Sequence, residues 1–186
     1  MRYFTIFLLT FQILLAKSSI VVRLYTSTKA LEPIIINEQT NLALVNGFCF
    51  CSPIKLCSNY AIIHGFNSNG EVSWALKMKD KLLQVNASSN VFIIDWREGA
   101  NTGVNYEQAA IVNMETSVSE AYNIFSGVKG YLGNDNYNFN VHCIGHSLGS
   151  HFCGFLSKVL INNLNLKFKR ISALGKIHLT KNETLI

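Results

Sequence analysis

The sequence predicts an α/β protein built on a mostly parallel sheet with helices on both faces. Short runs rich in Val, Ile and Phe carry few charges, as strands covered on both faces do. Helix-forming segments separate these runs, and strands that alternate with helices pair in parallel. One run leads directly into Gly145, Ser147 and Gly149, and a helix-forming segment follows. This order places Ser147 beyond the carboxyl ends of the strands, where such sheets bind ligands.

The individual elements follow from these patterns. Strands are expected at residues 20–26, 60–63, 91–95, 140–144 and 169–174. Helices are expected at residues 71–83, 106–125 and 147–160. Apolar side chains in the second helix recur at spacings of three and four residues, which is typical of a helix with one buried face. Right-handed crossovers between parallel strands then restrict the topology.

Length and composition indicate one folded domain. The chain has 186 residues, and 49% of them are hydrophobic, which argues against a disordered polypeptide. The formal net charge of +5 is modest, and basic residues do not interleave with aromatic residues on one face. Nothing therefore indicates a nucleic-acid partner. We interpret the basic residues near the C-terminus as a solvated face, with an anionic surface as the alternative partner.

The N-terminal segment 1–18 has the pattern of a secretory signal peptide. Arg2 supplies the positive start, an apolar run follows, and Ala16 and Ser18 are small residues at the positions that a signal peptidase reads. A membrane anchor is the alternative. The run is shorter than the roughly 20 residues of a transmembrane span, and no second span follows it. We therefore expect a secreted, extracellular protein.

The five cysteines would then meet an oxidising compartment. Cys57 is near enough in sequence to Cys49 and Cys51 to close a small loop with either. Cys143 lies within the strand that precedes Ser147, so we expect a buried apolar residue there rather than a disulfide partner. Because the count is odd, one thiol is expected to stay free or to pair outside the chain.

Two further site types follow from short motifs. Acceptor motifs for N-linked glycans begin at Asn86 and Asn182, and export would make them available. A zinc site near the cysteines would need a fourth ligand, for which His64 is the nearest candidate. A different role for His64 follows below, so no metal is expected.

Ser147 is the candidate nucleophile. A Gly-x-Ser-x-Gly turn is too tight for side chains at Gly145 and Gly149, and it lifts the serine hydroxyl above the sheet edge. Attack on a carbonyl carbon places negative charge on the carbonyl oxygen, which backbone N–H groups must stabilise. Leu148, the residue after the serine, supplies one of these groups.

The second N–H donor is expected in the loop after an earlier strand. Residues 62–66 end a predicted strand and continue through His64 and Gly65 to Phe66, whose amide is free to donate. Gly65 allows the backbone to turn towards the oxyanion. Each motif alone has low specificity, whereas both motifs at strand ends and in this order are much more specific.

At this point the chain resembles the secreted lipases related to pancreatic lipase, lipoprotein lipase and phospholipase A1. The likeness covers roughly residues 20–174. Four blocks in order carry it: VRLYT at 22–26, IIHGF at 62–66 with Trp74 downstream, VFIIDWR at 91–97 and VHCIGHSLGSH at 141–151.

The resemblance implies an α/β-hydrolase fold and the hydrolysis of acyl esters at a lipid–water interface. It implies Ser147 as the nucleophile and the amides of Phe66 and Leu148 as the oxyanion hole. This chemistry needs no metal or cofactor. We expect residues 19–175 to form the N-terminal part of a lipase domain, followed by a divergent tail at 176–186.

The histidines close to these motifs are interpreted as structural. His64 and His146 are expected to shape their turns rather than to transfer protons. His151 follows Ser147 by one helical turn, so we expect it to pack behind the turn rather than to reach the hydroxyl.

Asp95 ends a strand and is a false candidate for the triad acid. In the family's strand order, the strand before His64 separates the Asp95 strand from the Ser147 strand. Two inter-strand steps are about 9–10 Å, which is too far to orient a base beside the serine. We expect Asp95 to pair with Arg97 or a loop amide, and Trp74 and Trp96 to pack in the core and at its rim.

The chain departs from the family after the last predicted strand. Relatives continue into Gly-Leu-Asp-Pro, whose aspartate is the triad acid, but Gly175 and Lys176 stand at those two positions. The family order Ser…Asp…His therefore stops at Ser147. His178 and Glu183 are the only later residues able to act as base and acid, and we do not expect them to do so. The sequence is expected to be truncated after the strand that follows the nucleophile helix.

Two functions remain open. One is a secreted lipase-type serine esterase of lipid catabolism, encoded in part. The alternative is a non-catalytic lipid-binding or carrier protein on a lipase scaffold, which the missing acid and base favour. A serine peptidase or acyltransferase shares the Gly-x-Ser-x-Gly turn, but would not be expected to carry Asp95, Trp96 and Arg97 as well.

Overall fold

The computed structural model of the chain describes residues 20–50, 57–101, 103, 105–132 and 139–175. Several predictions fall outside these ranges. They concern the signal peptide, the divergent tail, and the residues Cys51, Lys176, His178, Asn182 and Glu183.

Six strands of the described part form one sheet: β1 (Val21–Tyr25), β2 (Ile34–Ile36), β3 (Ser58–Ile63), β4 (Ser89–Asp95), β5 (Val141–His146) and β6 (Arg170–Leu174). Their order across the sheet is β2-β1-β4-β3-β5-β6. Strand β3 pairs in parallel with β4 and with β5, and β5 pairs in parallel with β6. The predicted α/β class with a mostly parallel sheet is therefore confirmed.

The antiparallel edge made by β1 and β2 was not predicted. Strand β1 runs antiparallel to both β2 and β4. A parallel connection needs a crossover of a dozen or more residues, and the link from Tyr25 to Ile34 is shorter than that. The link instead turns through a hydrogen bond from the Lys29 amide to the Thr26 carbonyl. With three residues, β2 is too short to give a periodic sequence pattern.

Helices lie between these strands: α1 (Ser73–Val85), α2 (Arg97–Ala100), α3 (Tyr106–Gln108), α4 (Met114–Leu132) and α5 (Leu148–Leu164). A 3-10 turn spans Leu42–Leu44, and a π-helical turn at Ala109–Asn113 joins α3 to α4. The helix predicted at 106–125 is thus interrupted and continues further than expected. The widened turn allows Asn113 Nδ2 to donate to the Gly99 carbonyl at 2.9 Å, a contact that helical periodicity does not reveal.

The two faces of the sheet bury different numbers of apolar side chains. Helices α4 and α5 cover one face with a large cluster that includes Phe92, Phe125 and Phe152. Helix α1 covers the other face with a smaller cluster around Ile62 and Ile93. All seven residues of β4 are buried, as expected for a central strand. Across the described residues, no helix combines the length and apolar character needed to cross a bilayer.

Two disulfides link the described cysteines. Cys49 bonds to Cys57, which selects one of the two pairings left open by the sequence. Cys143 bonds to Cys153, so the expectation that Cys143 would be an unbridged apolar residue was wrong. Its burial was predicted correctly, since both sulfur-bearing residues have 0% exposure. The chain reverses at Ser147 and folds α5 back against β5, which brings two cysteines ten positions apart in sequence to a Cα separation of 5.9 Å.

Candidate active site

Ser147 occupies the turn between β5 and α5, beyond the carboxyl ends of the parallel strands. Its backbone has φ 54° and ψ −123°, a conformation that a residue with a Cβ rarely adopts. The side chain is half-buried, and the Ser147 amide donates to the Leu174 carbonyl at 2.7 Å. Backbone strain of this kind costs on the order of 1–3 kcal/mol and persists where the surrounding structure fixes it.

The glycines on either side of the serine allow close contact between backbones. A Cβ on Gly145 would overlap the Gly149 carbonyl group, and a Cβ on Gly149 would overlap the Ile63 carbonyl oxygen. Ser150 Oγ also donates to the Gly145 carbonyl at 2.8 Å across the turn. The turn at residues 145–149 (hereafter the elbow) therefore packs directly against the end of β3.

The loop after β3 contacts the elbow through its glycine. A Cβ on Gly65 would lie 2.9 Å from Ser147 Cβ and 3.4 Å from the Leu148 nitrogen. The next residue is Phe66, whose ring meets the Tyr106 ring edge-on at a centroid separation of 5.4 Å. Among the backbone hydrogen bonds of the described residues, none uses the amide of Phe66 or of Leu148 as a donor. Neither amide is therefore committed to a backbone acceptor in the described part of the chain.

His64 is buried and has both ring nitrogens engaged. Nδ1 lies 2.9 Å from the Gly65 carbonyl oxygen, so it carries the proton of that bond. Nε2 lies 3.1 Å from the Trp96 amide nitrogen and 3.2 Å from Asp95 Oδ1. Trp96 Nε1 in turn donates to the His64 carbonyl at 2.8 Å. His64 therefore holds the loop before Phe66 in place and presents no nitrogen to Ser147, as the sequence predicted.

Asp95 is the centre of a charged cluster at the end of β4. Arg97 donates to it from Nε at 2.9 Å and from its amide at 3.2 Å, which confirms the pairing predicted from the sequence. Arg23 Nη1 donates to Asp95 Oδ2 at 2.8 Å, and both arginines also contact Glu71. Arg23 and Glu71 were missed because they are distant in sequence, and no local pattern links them to Asp95.

The electrostatics of this cluster keep Asp95 ionised. Burial by itself raises the pKa of the Asp95 carboxyl group. The contact with His64 and the hydrogen bonds from Arg97 and Arg23 outweigh that effect and lower the pKa well below its usual range. The same contacts, first with Asp95 and then with Glu71, raise the pKa of Arg97. Asp95 is thus committed to ion pairs, and β3 separates its strand from the Ser147 strand as expected.

The other residues singled out by sequence differ in their exposure. His146 is exposed and contacts the Trp74 ring at a centroid separation of 5.3 Å, whereas Trp96 is fully buried. His151 is half-buried on the first turn of α5. Within the described residues, no hydrogen bond reaches the Ser147 hydroxyl, from His151 or from any other side chain.

Gly175 follows β6 at the position where the family's aspartate was expected. Its φ is 79°, and a Cβ there would lie 3.6 Å from His146 Nε2 and 3.9 Å from the Ser147 nitrogen. The position is therefore adjacent to the elbow, although it carries no side chain.

Asn86, the predicted glycan acceptor in the described part, ends α1. Its Oδ1 accepts from the Ser88 amide at 2.9 Å, and its Nδ2 lies 3.4 Å from Ser58 Oγ. The side chain is half-buried in the turn before β4. Elsewhere in the described ranges, no group of three or more His, Cys, Asp or Glu side chains is arranged to hold a metal ion.

A mostly parallel sheet with a strained serine between strand and helix, and an adjacent glycine loop, defines an α/β-hydrolase. Residues 52–184 match the family model described as Lipase, which extends into the segment after Gly175. The chain therefore belongs to the lipase family.

Several curated proteins resemble half of the chain. Pancreatic triacylglycerol lipase of Ictidomys tridecemlineatus is 42% identical over 93 residues, which are 50% of this chain and 19% of that protein. Pancreatic lipase-related protein 2 is 39% identical in Mus musculus and 38% identical in Rattus norvegicus, each over 95 residues. Those stretches cover 50% of this chain and 18% and 19% of the two proteins. The match thus spans about a fifth of the length of these relatives.

Proposed function

We propose that this chain carries the nucleophile and oxyanion hole of a lipase-type serine esterase that hydrolyses acyl esters of lipids. One observation carries the proposal: Ser147 is held at φ 54° between β5 and α5, with the Gly65 loop in contact with it. Strained positions of this kind occur at catalytic serines of α/β-hydrolases, where they expose the hydroxyl. Membership of the lipase family supports a lipid substrate, and the names of the pancreatic relatives point to triacylglycerol.

The chemistry assigns each group one role. Ser147 Oγ attacks the ester carbonyl carbon while a general base accepts its proton, and the amides of Phe66 and Leu148 donate to the oxyanion. The intermediate collapses, the alcohol leaves with that proton, and water then releases the acid from the acyl-enzyme. Loss of one oxyanion donor typically lowers the rate on the order of a hundred-fold. His64 does not serve as the base, because both its nitrogens are engaged.

Two observations support export of the protein. The N-terminal segment 1–18 has the composition of a signal peptide. Both pairs of described cysteines form disulfides, which persist mainly in oxidising compartments. Secretion would also make Asn86 and Asn182 available for glycosylation.

A fluorophosphonate probe tests the proposal. The expressed chain should react covalently at Ser147, and peptide mapping should locate the adduct there rather than at Ser150, three residues further on. Ser147→Ala should abolish the adduct and any hydrolysis of short-chain fatty esters. If the wild-type chain labels no faster than Ser147→Ala, this chain is not a serine esterase by itself.

A second function is favoured by the engagement of Asp95 and His64 in other contacts. Asp95 and His64 bond to each other and to neighbouring groups, so neither is free to activate Ser147. A non-catalytic lipid-binding protein would be silent to the probe, yet would bind vesicles or fatty esters equally well with serine or alanine at position 147. Vesicle sedimentation of both proteins separates the two functions.

A further inference from the structure

We propose that the Cys143–Cys153 disulfide is a positioning device for Ser147, in addition to stabilising the fold. Its catalytic consequence rests on the proposed esterase function, whereas its effect on the elbow backbone does not. Both cysteines act through the turn between them and touch no reacting atom.

The disulfide encloses the elbow in a short covalent ring. Cys143 precedes Ser147 by four positions on β5, and Cys153 follows it by six on α5. The tight contact of Gly145 with the Gly149 carbonyl group falls inside this ring, and Gly149, also inside it, packs against the Ile63 carbonyl oxygen of β3. A change in the distance between strand and helix would therefore be transmitted directly to the serine.

One end of the disulfide is anchored in the centre of the sheet. Cys143 is paired in register with Ala61 of β3 on one side and Ile171 of β6 on the other. Cys153 is on the helix that begins just after Ser147. The bond thus ties the start of a helix to a strand held on both edges, which limits the sliding and tilting of α5.

Ser147 needs such restraint because its backbone conformation is unfavourable by itself. A residue at φ 54° relaxes unless neighbouring groups fix it from several sides. The glycines permit the close approach but supply no side-chain contacts to hold it. The hydrogen bonds from the Ser147 amide to Leu174 and from Ser150 Oγ to Gly145 act on the turn itself, and the disulfide fixes the two elements that flank it.

The second disulfide provides a matched control. Cys49 and Cys57 are eight positions apart and Cys143 and Cys153 ten, so removing either bond releases a similar loop entropy in the unfolded chain. Cys49 exchanges two hydrogen bonds with the Asn90 side chain, near the start of β4. The Cys49–Cys57 disulfide therefore lies at the amino ends of the strands, at the edge of the sheet opposite to Ser147.

The experiment compares two full-length double variants, Cys143→Ala with Cys153→Ala and Cys49→Ala with Cys57→Ala. Amide hydrogen exchange should be at least roughly ten-fold faster at residues 145–150 in the first variant and unchanged there in the second. Labelling of Ser147 by the fluorophosphonate should slow by about ten- to a hundred-fold in the first variant only. In the first variant the maximal labelling rate should fall while the affinity for the probe stays unchanged. A general loss of stability would not produce this pattern.

Equal effects of both double variants at the elbow, or no effect of the first, would overturn the proposal. If the wild type itself is not labelled, the proposed function fails, and hydrogen exchange still decides the role of the disulfide. A third variant, Cys143→Val with Cys153→Ala, retains apolar volume in case the first does not fold. Exchange and labelling at wild-type rates in that variant would show that packing alone positions the serine, and would also overturn the proposal.

Discussion

The ends of β4 and β5 lie at the same edge of the sheet but are stabilised in different ways. At the end of β4, Asp95 is held by side chains that come from three separate segments of the chain. At the end of β5, Ser147 is held by backbone contacts of glycines and by a covalent ring. The first region depends on charge, and the second depends on glycines that allow close backbone contact and on a disulfide.

This difference assigns the two regions different roles. The Asp95 cluster fixes His64, and through it the loop that carries Phe66. The elbow fixes the serine and the Leu148 amide. The two proposed oxyanion donors are therefore positioned by different kinds of contact, one made by charged side chains and the other by backbone packing and a disulfide.

The largest effect should come from adding a methyl group to the elbow. Gly145→Ala would force a Cβ into the Gly149 carbonyl group, and backbone atoms cannot yield as a flexible side chain can. We expect a loss of about 4 kcal/mol in the free energy of unfolding, and no labelling of Ser147. Urea unfolding followed by circular dichroism measures the first quantity.

Gly154→Ala is the matched control for that substitution. Gly154 is on α5, the helix that follows the elbow, and is exposed, and a Cβ there would meet nothing within 4 Å. Alanine should stabilise the helix by about 0.5–1 kcal/mol, because glycine is the weaker helix former. If both variants lose stability, the effect of Gly145→Ala cannot be assigned to the turn.

Loss of the charge on Asp95 should have the next largest effect. Asp95→Asn keeps the side-chain size but weakens the pairs with Arg23 and Arg97, which should cost about 3 kcal/mol at neutral pH. Glu71→Gln removes the exposed partner of the same arginines and should cost less than about 1 kcal/mol. Thermal unfolding of both variants tests whether the cluster depends on its buried member. Equal losses would contradict that interpretation.

The smallest effect is the pH dependence of this difference. The folded-state pKa of Asp95 is depressed, so its stabilisation is complete above the unfolded-state pKa of about 4 and is lost as the pH falls below that value. The stability gap between wild type and Asp95→Asn should therefore shrink by about 1 kcal/mol from pH 7 to pH 3. Urea titrations at both pH values measure it, and an unchanged gap would exclude Asp95 as the source.

The comparison of the two strand ends also explains which features could be predicted from the sequence. The elbow was predictable because Gly145, Ser147 and Gly149 are close in sequence and their spacing alone implies the turn. The contact between Asp95 and Arg97 was predictable for the same reason. Arg23 was not, because it joins the cluster through β1, a predicted strand whose antiparallel pairing with β4 was unexpected.

The cysteines show the limit of local inference in another way. Strand propensity correctly indicated that Cys143 is buried. Its bond to Cys153 depends on how α5 packs back against β5, which is a property of the tertiary fold. The pairing of Cys57 was narrowed to two candidates by proximity in sequence, and only the fold selects Cys49.

The last strand also sets distances at this edge. Because the Ser147 amide donates to the Leu174 carbonyl, the ladder of β6 continues into the serine turn. The register of β6 therefore sets the distance between the Ser147 hydroxyl and any group carried just beyond the end of that strand. If β6 slipped by one residue along β5, that group would move by roughly 3.3 Å. A displacement of this size would break a hydrogen bond to the serine hydroxyl.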